Sequence, residues 1–471
     1  MDRLLQPMTI GLLLISGMAV ALVGSIKLPL ARRLQIDEAR VGGLVSAFGF
    51  TIIPMILISG FLTDHFGVQM VIVGGSFLLG VGLFTLARAR IYVTAFIAIL
   101  LLGSAWSAIV NTVNVIVPTA FGGSMTYATN LSNFVFGMGA FLTPIALSVL
   151  LRKRDIPLIL SGLGLASLIP GILALAVDFS ARLPATAVLT TQASPESVVI
   201  GLLTDPVLWL CALGFFFYSP LEAAMGAWST TFLVGRGVAE ATALRWLSVF
   251  WLCYMITRLI TAFTLPAGKE TLLILVLSVL CMDVMATVAF TRSARTAKIT
   301  VAAAGLIFGP IFPTILALLL VHFPIEVRGR AIGLFFAIAA VGWTGIPALI
   351  GAYAKRTTIQ RGFLIAVASA VALTLVAVAL FVHFGASTSQ NNKPPNARPF
   401  HPSISGCSFD RESDTGKAYQ CEAPEAGCND TGGMAPNSCR PQERVWRQSD
   451  DKNNEHKDGR GQFRFPESAL A

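Results

Sequence analysis

The sequence predicts an all-α integral membrane protein: twelve transmembrane helices in two six-helix repeats, followed by a polar, disordered C-terminal tail. Three observations predict it. Of 471 residues, 55% are hydrophobic and only 13% charged, with a mean hydropathy of +0.73, outside the range of soluble domains. The apolar residues gather into runs long enough to cross a hydrocarbon core as helix. Finally, Gly139, Pro144, Arg152 and Lys153 recur as Gly342, Pro347, Lys355 and Arg356, each pair 203 positions apart, which is the trace of an internal duplication.

The first six runs lie near 8–31, 41–62, 70–87, 92–117, 126–150 and 157–177. The first is long enough to span and has no clear small-residue cleavage site, so it reads as a signal anchor and span 1. A more polar stretch, 178–205, holds Asp178, Arg182, Pro184 and Glu196 and reads as a linker between halves 1–177 and 206–384. Spans 7 to 12 follow near 206–233, 243–265, 271–291, 298–321, 329–352 and 362–384. Six plus six explains the repeat, because spans 5 and 11 then correspond and share an orientation. Gly103 and Gly305, in spans 4 and 10, repeat at an offset of 202. Glycine and proline within a span make Gly139, Pro144, Gly342 and Pro347 candidate hinges.

Residues 385–471 are rich in Ser, Asn, Pro, Gly and alternating charge, with too little apolar surface to offset the entropy of ordering. The alternative is a small module stapled by Cys407, Cys421, Cys428 and Cys439, whose spacing fits no zinc pattern. No cofactor is expected. Residues 1–384 carry 23 basic and 13 acidic residues, so the net +9 belongs to the loop ends of the membrane part. It is no argument for nucleic-acid binding. The chain lacks a Gly-x-x-x-x-Gly-Lys-Ser/Thr loop, a His-Glu-x-x-His pair and a Gly-x-Ser-x-Gly elbow, which removes ATP-driven transport and the commonest motif-borne hydrolases.

Between spans 2 and 3 stands Gly60-Phe61-Leu62-Thr63-Asp64-His65-Phe66-Gly67. A Gly there permits close helix packing, Asp64 can act on a neighbouring helix end, and Gly67 permits a sharp turn. With the duplication and Arg328-Gly329-Arg330-Ala331 at the start of span 11, this resembles the gating loop of the major facilitator superfamily. Gly60, Asp64, Gly67, Arg328 and Arg330 are the candidate gating residues that the resemblance implies. Neutral Val68, Gln69 and Met70 depart from the basic residues usual after the Asp.

Asn130-Leu131-Ser132-Asn133-Phe134 running to Pro144, together with Tyr218-Ser219-Pro220-Leu221-Glu222 and Trp228, resembles the fucose permease branch of sugar:proton symporters. That branch ties acids in spans 1 and 4 to proton and sugar handling. Here no acid lies between Asp2 and Asp37 or between Tyr92 and Pro118, so those roles are not carried over.

Glu222 stands near the middle of span 7, where an ionised carboxylate must face a cavity or a partner. It is either a structural group, ion-paired with Arg258 or neutral, or a proton carrier and acceptor for a solute hydroxyl. Tyr218 lies one turn before it on the same face. Trp251, Tyr254 and Arg258 form a stripe that can stack a sugar ring or simply pack, with Arg258 snorkelling. Asn111 and Asn114 share a face of span 4 with Ser107, and Asn130 and Asn133 stand on span 5. Such amides hydrogen-bond across helices or line a watery cavity, where they suit polyhydroxy ligands. Trp106 and Trp343 can cap that cavity or pack in the core. Asp283 reads as a structural partner, and Lys27 as an interfacial residue.

The expected partners are the lipid bilayer, a small solute and a coupling proton, in a multi-pass protein of the cell membrane. The expected activity is secondary transport of a small polar, sugar-like solute; a transport-inactive sensor or an intramembrane enzyme are the alternatives. The family resemblance implies cytoplasmic termini. Loop basic residues such as Arg32, Arg33, Arg88, Arg90, Arg154, Arg292 and Arg356 imply the reverse by the positive-inside rule.

Overall fold

The computed structural model describes residues 3–151, 154–179 and 195–391, and all regular structure among them is helical. Among the described residues, twelve helices are long and apolar enough to cross a membrane. They are Leu5–Ser25, Gly43–Phe66, Val68–Arg88, Tyr92–Phe121, Met125–Leu147 and Ile156–Leu175, then Pro206–Val234, Glu240–Thr264, Glu270–Phe290, Ala294–His322, Ile325–Ala354 and Ile359–Phe384. Arg152, Lys153, most of the linker stretch and the tail from residue 392 lie outside the described residues.

Local chemistry sets the boundaries. Asp37 accepts from Arg40 N at 2.8 Å, Ser124 from Tyr127 N at 3.1 Å, and Asp205 from Val207 N at 2.7 Å, each satisfying an orphan donor at a helix start. Gly67 turns span 2 into span 3 at φ 83°, a left-handed conformation that favours glycine. The first apolar run is not one helix. It breaks after Ser25 and resumes as the short helix Lys27–Leu34, because Pro29 has no N–H for the Ser25 carbonyl. Span 10 breaks likewise into Ala294–Phe308 and Ile311–His322 around Pro310 and Pro313. Within the linker stretch, Pro195–Thr204 is helical.

The duplication reappears as backbone packing. A Cβ on Gly139 would collide with the Leu14 carbonyl of span 1, and one on Gly342 with the Phe216 carbonyl of span 7. A Cβ on Gly103 would lie 3.2 Å from the Phe48 carbonyl of span 2, and one on Gly305 would overlap the Phe250 carbonyl of span 8. The partners are 202 positions apart in both cases. Spans 5 and 11 run as continuous helix through Gly139–Pro144 and Gly342–Pro347. What the two glycines provide here is close helix approach, and no bend is needed to account for them.

The halves meet at the end of the bundle that carries Asp64. Gly60 of span 2 lies against the Gly329 backbone of span 11, Gly333 against the Ile56 carbonyl, and Gly137 of span 5 against Met255 of span 8. Thr126 Oγ1 donates to Glu270 Oε1 at 3.0 Å, and Tyr127 meets Phe263 edge-on at 5.4 Å between ring centres. At the opposite end the helices are bared on more than one face: Phe141, Leu142, Pro144 and Ile145 of span 5, and Val341, Trp343, Gly345 and Leu349 of span 11, are all exposed. The bundle is closed at the Asp64 end and parted at the other. Exposed Arg32, Arg88, Arg90, Arg154, Arg292 and Arg356 lie at the parted end.

Candidate functional site

Glu222 sits halfway along span 7, half-buried, within a cluster of phenols. Its Oε2 accepts from Tyr254 Oη at 2.6 Å and from Tyr218 Oη at 3.2 Å; the two hydroxyls are 3.1 Å apart. Tyr218 is fully buried, one turn before Glu222, and its hydroxyl also reaches the Phe308 carbonyl at 2.8 Å. Among the described residues no hydrogen bond engages Oε1. The carboxylate therefore has one oxygen fixed by protein and one left for a proton or a solute hydroxyl.

Arg258, one turn after Tyr254 on span 8, completes the cluster at 4% exposure. Its Nη2 donates to the Tyr254 hydroxyl, and its Nε to the Gly309 carbonyl at 2.8 Å. Nη1 crosses to the other half and meets the Asn133 carbonyl at 3.3 Å. The guanidinium carbon lies 4.2 Å from the Tyr254 ring centre, a cation–π contact that offsets part of the cost of burying a charge. The direct Glu222–Arg258 ion pair weighed from the sequence is replaced by a Tyr254 bridge. Trp251, half-buried, stands edge-on to Tyr254 at 5.5 Å.

The amides are turned inward. Asn111 and Asn130 are fully buried, and Asn114 and Asn133 are nearly so. Asn114, Asn130 and Asn133 each donate to the carbonyl one turn back on their own helix. Asn111 Nδ2 instead crosses to the Gly329 carbonyl of span 11 at 3.0 Å. Asn111 Oδ1 and Asn130 Oδ1 are buried without a partner among the described residues. Trp106 is buried and donates to the Ser16 carbonyl at 3.0 Å, Trp343 is exposed at the parted end, and Asp283 is exposed on span 9.

The Asp64 carboxylate spans the two halves. Oδ1 accepts from Gly329 N at 3.0 Å; Oδ2 accepts from Arg330 N at 3.0 Å and Arg330 Nε at 2.8 Å. An anion is thereby seated in the opening turns of span 11, where amide dipoles favour negative charge. Gly60 and Gly329 let the two backbones come close enough for this. Arg328 turns away, donating to the Phe323 carbonyl at 2.9 Å.

Sequence reading missed that Asn133 contributes its carbonyl, and it missed the break in span 10. Gly309-Pro310-Ile311-Phe312-Pro313 in the middle of an apolar run is the signal that would have found the break. A cavity of about 740 Å³ lined by Trp228, Thr231, Gly351 and Gln360, and one of about 590 Å³ lined by Phe50, Pro54 and Ser104, lie apart from the Glu222 cluster. Among the described residues no three His, Cys, Asp or Glu side chains converge to hold a metal ion.

Comparison with known proteins agrees with this architecture. No curated protein matches the sequence. Among solved structures, FucP in the outward conformation superposes with a TM-score of 0.67 at 17% identity, over 79% of this chain and 97% of that one; FucP is described as the E. coli fucose:proton symporter. The proton:xylose symporter XylE gives 0.63 at 14% identity, over 81% and 94%. The human organic anion transporter MFSD10 gives 0.62 at 14%, over 80% and 99%. At these identities the likeness establishes the fold. The sequence profile of the Major Facilitator Superfamily matches residues 9–347, and the chain, a multi-pass membrane protein, belongs to that superfamily of transporters.

Proposed function

We propose that the protein is a secondary transporter that moves a small polar, sugar-like solute by alternating access, with a proton as coupling ion and Glu222 as its carrier. The reading takes 1–177 and 206–384 as the two moving halves, joined by 178–205 and followed by the tail 385–471. The observation that carries it is the placement of Glu222: a carboxylate in mid-membrane, half-buried, with one oxygen held by two phenols and the other unengaged. Trp251 beside it offers a face for a sugar ring. Asp64, seated on span 11, closes one end, and its release opens that end. Two fold neighbours, described as proton symporters for fucose and xylose, support the same reading.

The exposed arginines at the parted end favour a second reading, in which the solute is a small organic anion such as a sugar acid. Asp37, Asp155 and Glu240 share that end, but the excess there is basic, and a net positive rim raises the local concentration of its counter-ion and speeds capture. Uptake into proteoliposomes of labelled neutral sugars and sugar acids, with and without a pH gradient and at two salt concentrations, separates the readings. Gradient-stimulated uptake of neutral sugars is the expected result. Uptake confined to acids and weakened by salt favours the second reading. Saturable binding without any uptake overturns both and leaves a sensor.

A further inference from the structure

The break in span 10 makes Arg258 more than a neighbour of Glu222. Pro313 has no N–H, so the Gly309 carbonyl lacks the donor that a continuous helix would supply one turn ahead. Arg258 Nε takes that place at 2.8 Å. The adjacent Phe308 carbonyl is met by Tyr218 Oη at 2.8 Å. The same guanidinium leaves its own half through Nη1, which meets Asn133 O of span 5, and holds the Tyr254 hydroxyl through Nη2. One buried side chain thus fastens the break in span 10, the opposite half, and the tyrosine that binds the carboxylate.

These attachments have different fates in alternating access. The bonds to Gly309 and Tyr254 lie within one half and persist as it moves. The bond to Asn133 crosses between halves toward the closed end, close to where Gly137 packs on Met255, and it must break for that end to open. We infer that Arg258 is the latch of the closed end, a positioning residue whose grip on the Asn133 carbonyl, braced against the Gly309 carbonyl, sets the balance between the two open states. The inference rests on the alternating-access reading.

Loss of one hydrogen bond from a charged donor shifts such a two-state balance roughly tenfold. The test is hydrogen–deuterium exchange of the full chain in lipid nanodiscs, comparing wild type with Arg258→Lys and Pro313→Ala. The lysine cannot hold three acceptors in the fixed fork of a guanidinium. The alanine returns an N–H to the Gly309 carbonyl and so loosens the brace. Both variants should raise exchange at the closed end, in 111–130 and 258–270, and lower it at the parted end, in 141–150 and 341–354. The change should be roughly tenfold for Arg258→Lys and smaller for Pro313→Ala.

A role confined to stability raises exchange at both ends. That outcome, or unchanged exchange at both ends, overturns the latch. If Arg258→Lys does not fold, Pro313→Ala decides by the same opposed pattern. Exchange needs neither solute nor gradient, so its failure is distinguishable from failure of the transport reading, which uptake tests.

Discussion

Laid over one another at an offset of 202, the two halves share a scaffold and differ in chemistry. Trp106 of span 4 donates to the Ser16 carbonyl of span 1; the equivalent positions Phe308 and Tyr218 are joined with the roles reversed, side chain of span 7 to backbone of span 10. The glycine-to-carbonyl contacts repeat as well. Yet Glu222 corresponds to Val20, Tyr254 to Ile52 and Arg258 to Ile56. Among the described residues, the ionisable cluster lies in the C-terminal half. Helix packing is therefore the shared inheritance of the duplication, while the charge-bearing site is confined to the C-terminal half, with the N-terminal half offering a backbone carbonyl at Asn133.

The shared scaffold should break symmetrically. Gly139→Val and Gly342→Val each drive a side chain into a backbone oxygen, and each should lower folded stability by about 1–3 kcal/mol or abolish the folded protein, read as the thermal unfolding midpoint in detergent. Gly74→Val, where a Cβ meets nothing within 4 Å, should cost far less. Equal damage at all three would sink the packing account.

The clamp between the halves comes next. Asp64→Asn removes the charge from three hydrogen bonds, weakening the closed end by about 1.5–3 kcal/mol, and should speed backbone exchange in 325–333. Unchanged protection there would show that Asp64 does not hold span 11.

A subtler contrast lies in the reversed pair. Trp106→Phe loses its one interhelical hydrogen bond and should cost ~1 kcal/mol, while Tyr218→Phe loses its contacts with both the Phe308 carbonyl and the Tyr254 hydroxyl and should cost somewhat more. Only Tyr218→Phe should also move the pH profile of uptake, because Tyr218 donates to Glu222. A shift of equal size in both variants would argue against the one-sided site.

The smallest effect is outside the membrane. At Asp205 burial pushes the carboxyl up, but His322 at 2.8 Å and the Leu208 and Val207 amides outweigh it and hold the group below its ordinary 3.8. A carboxyl depressed in the folded state contributes stability above its ordinary pKa and loses it as pH falls through the lower folded value. Asp205→Asn should therefore flatten the acid limb of a stability–pH curve below about pH 4, by no more than ~1 kcal/mol at this partly solvated pair.

The twelve spans, the two-fold repeat and the Asp64 loop were legible because hydropathy runs, glycine offsets and loop spacing are written along the chain. What the glycines touch was not: the Leu14 and Phe216 carbonyls stand against Gly139 and Gly342 only in the folded chain. The amides were harder still. An Asn in a span carries no mark of whether its donor returns to its own helix, as Asn130 does to Thr126, or crosses to another, as Asn111 does to Gly329. Arg258 shows the same limit. Its acceptor, Gly309, stands fifty-one residues away and is freed only by Pro313, so the link emerges from tertiary packing and backbone bookkeeping together.

The proposed driving force of the cycle is a proton carried by Glu222. It is tested most directly by pairing gradient-driven accumulation with solute counterflow in proteoliposomes of wild type, Glu222→Gln and, as the scaffold equivalent, Val20→Ala. Glu222→Gln should retain counterflow but lose accumulation under a pH gradient, while Val20→Ala should keep both. Accumulation by Glu222→Gln at the wild-type level would contradict it.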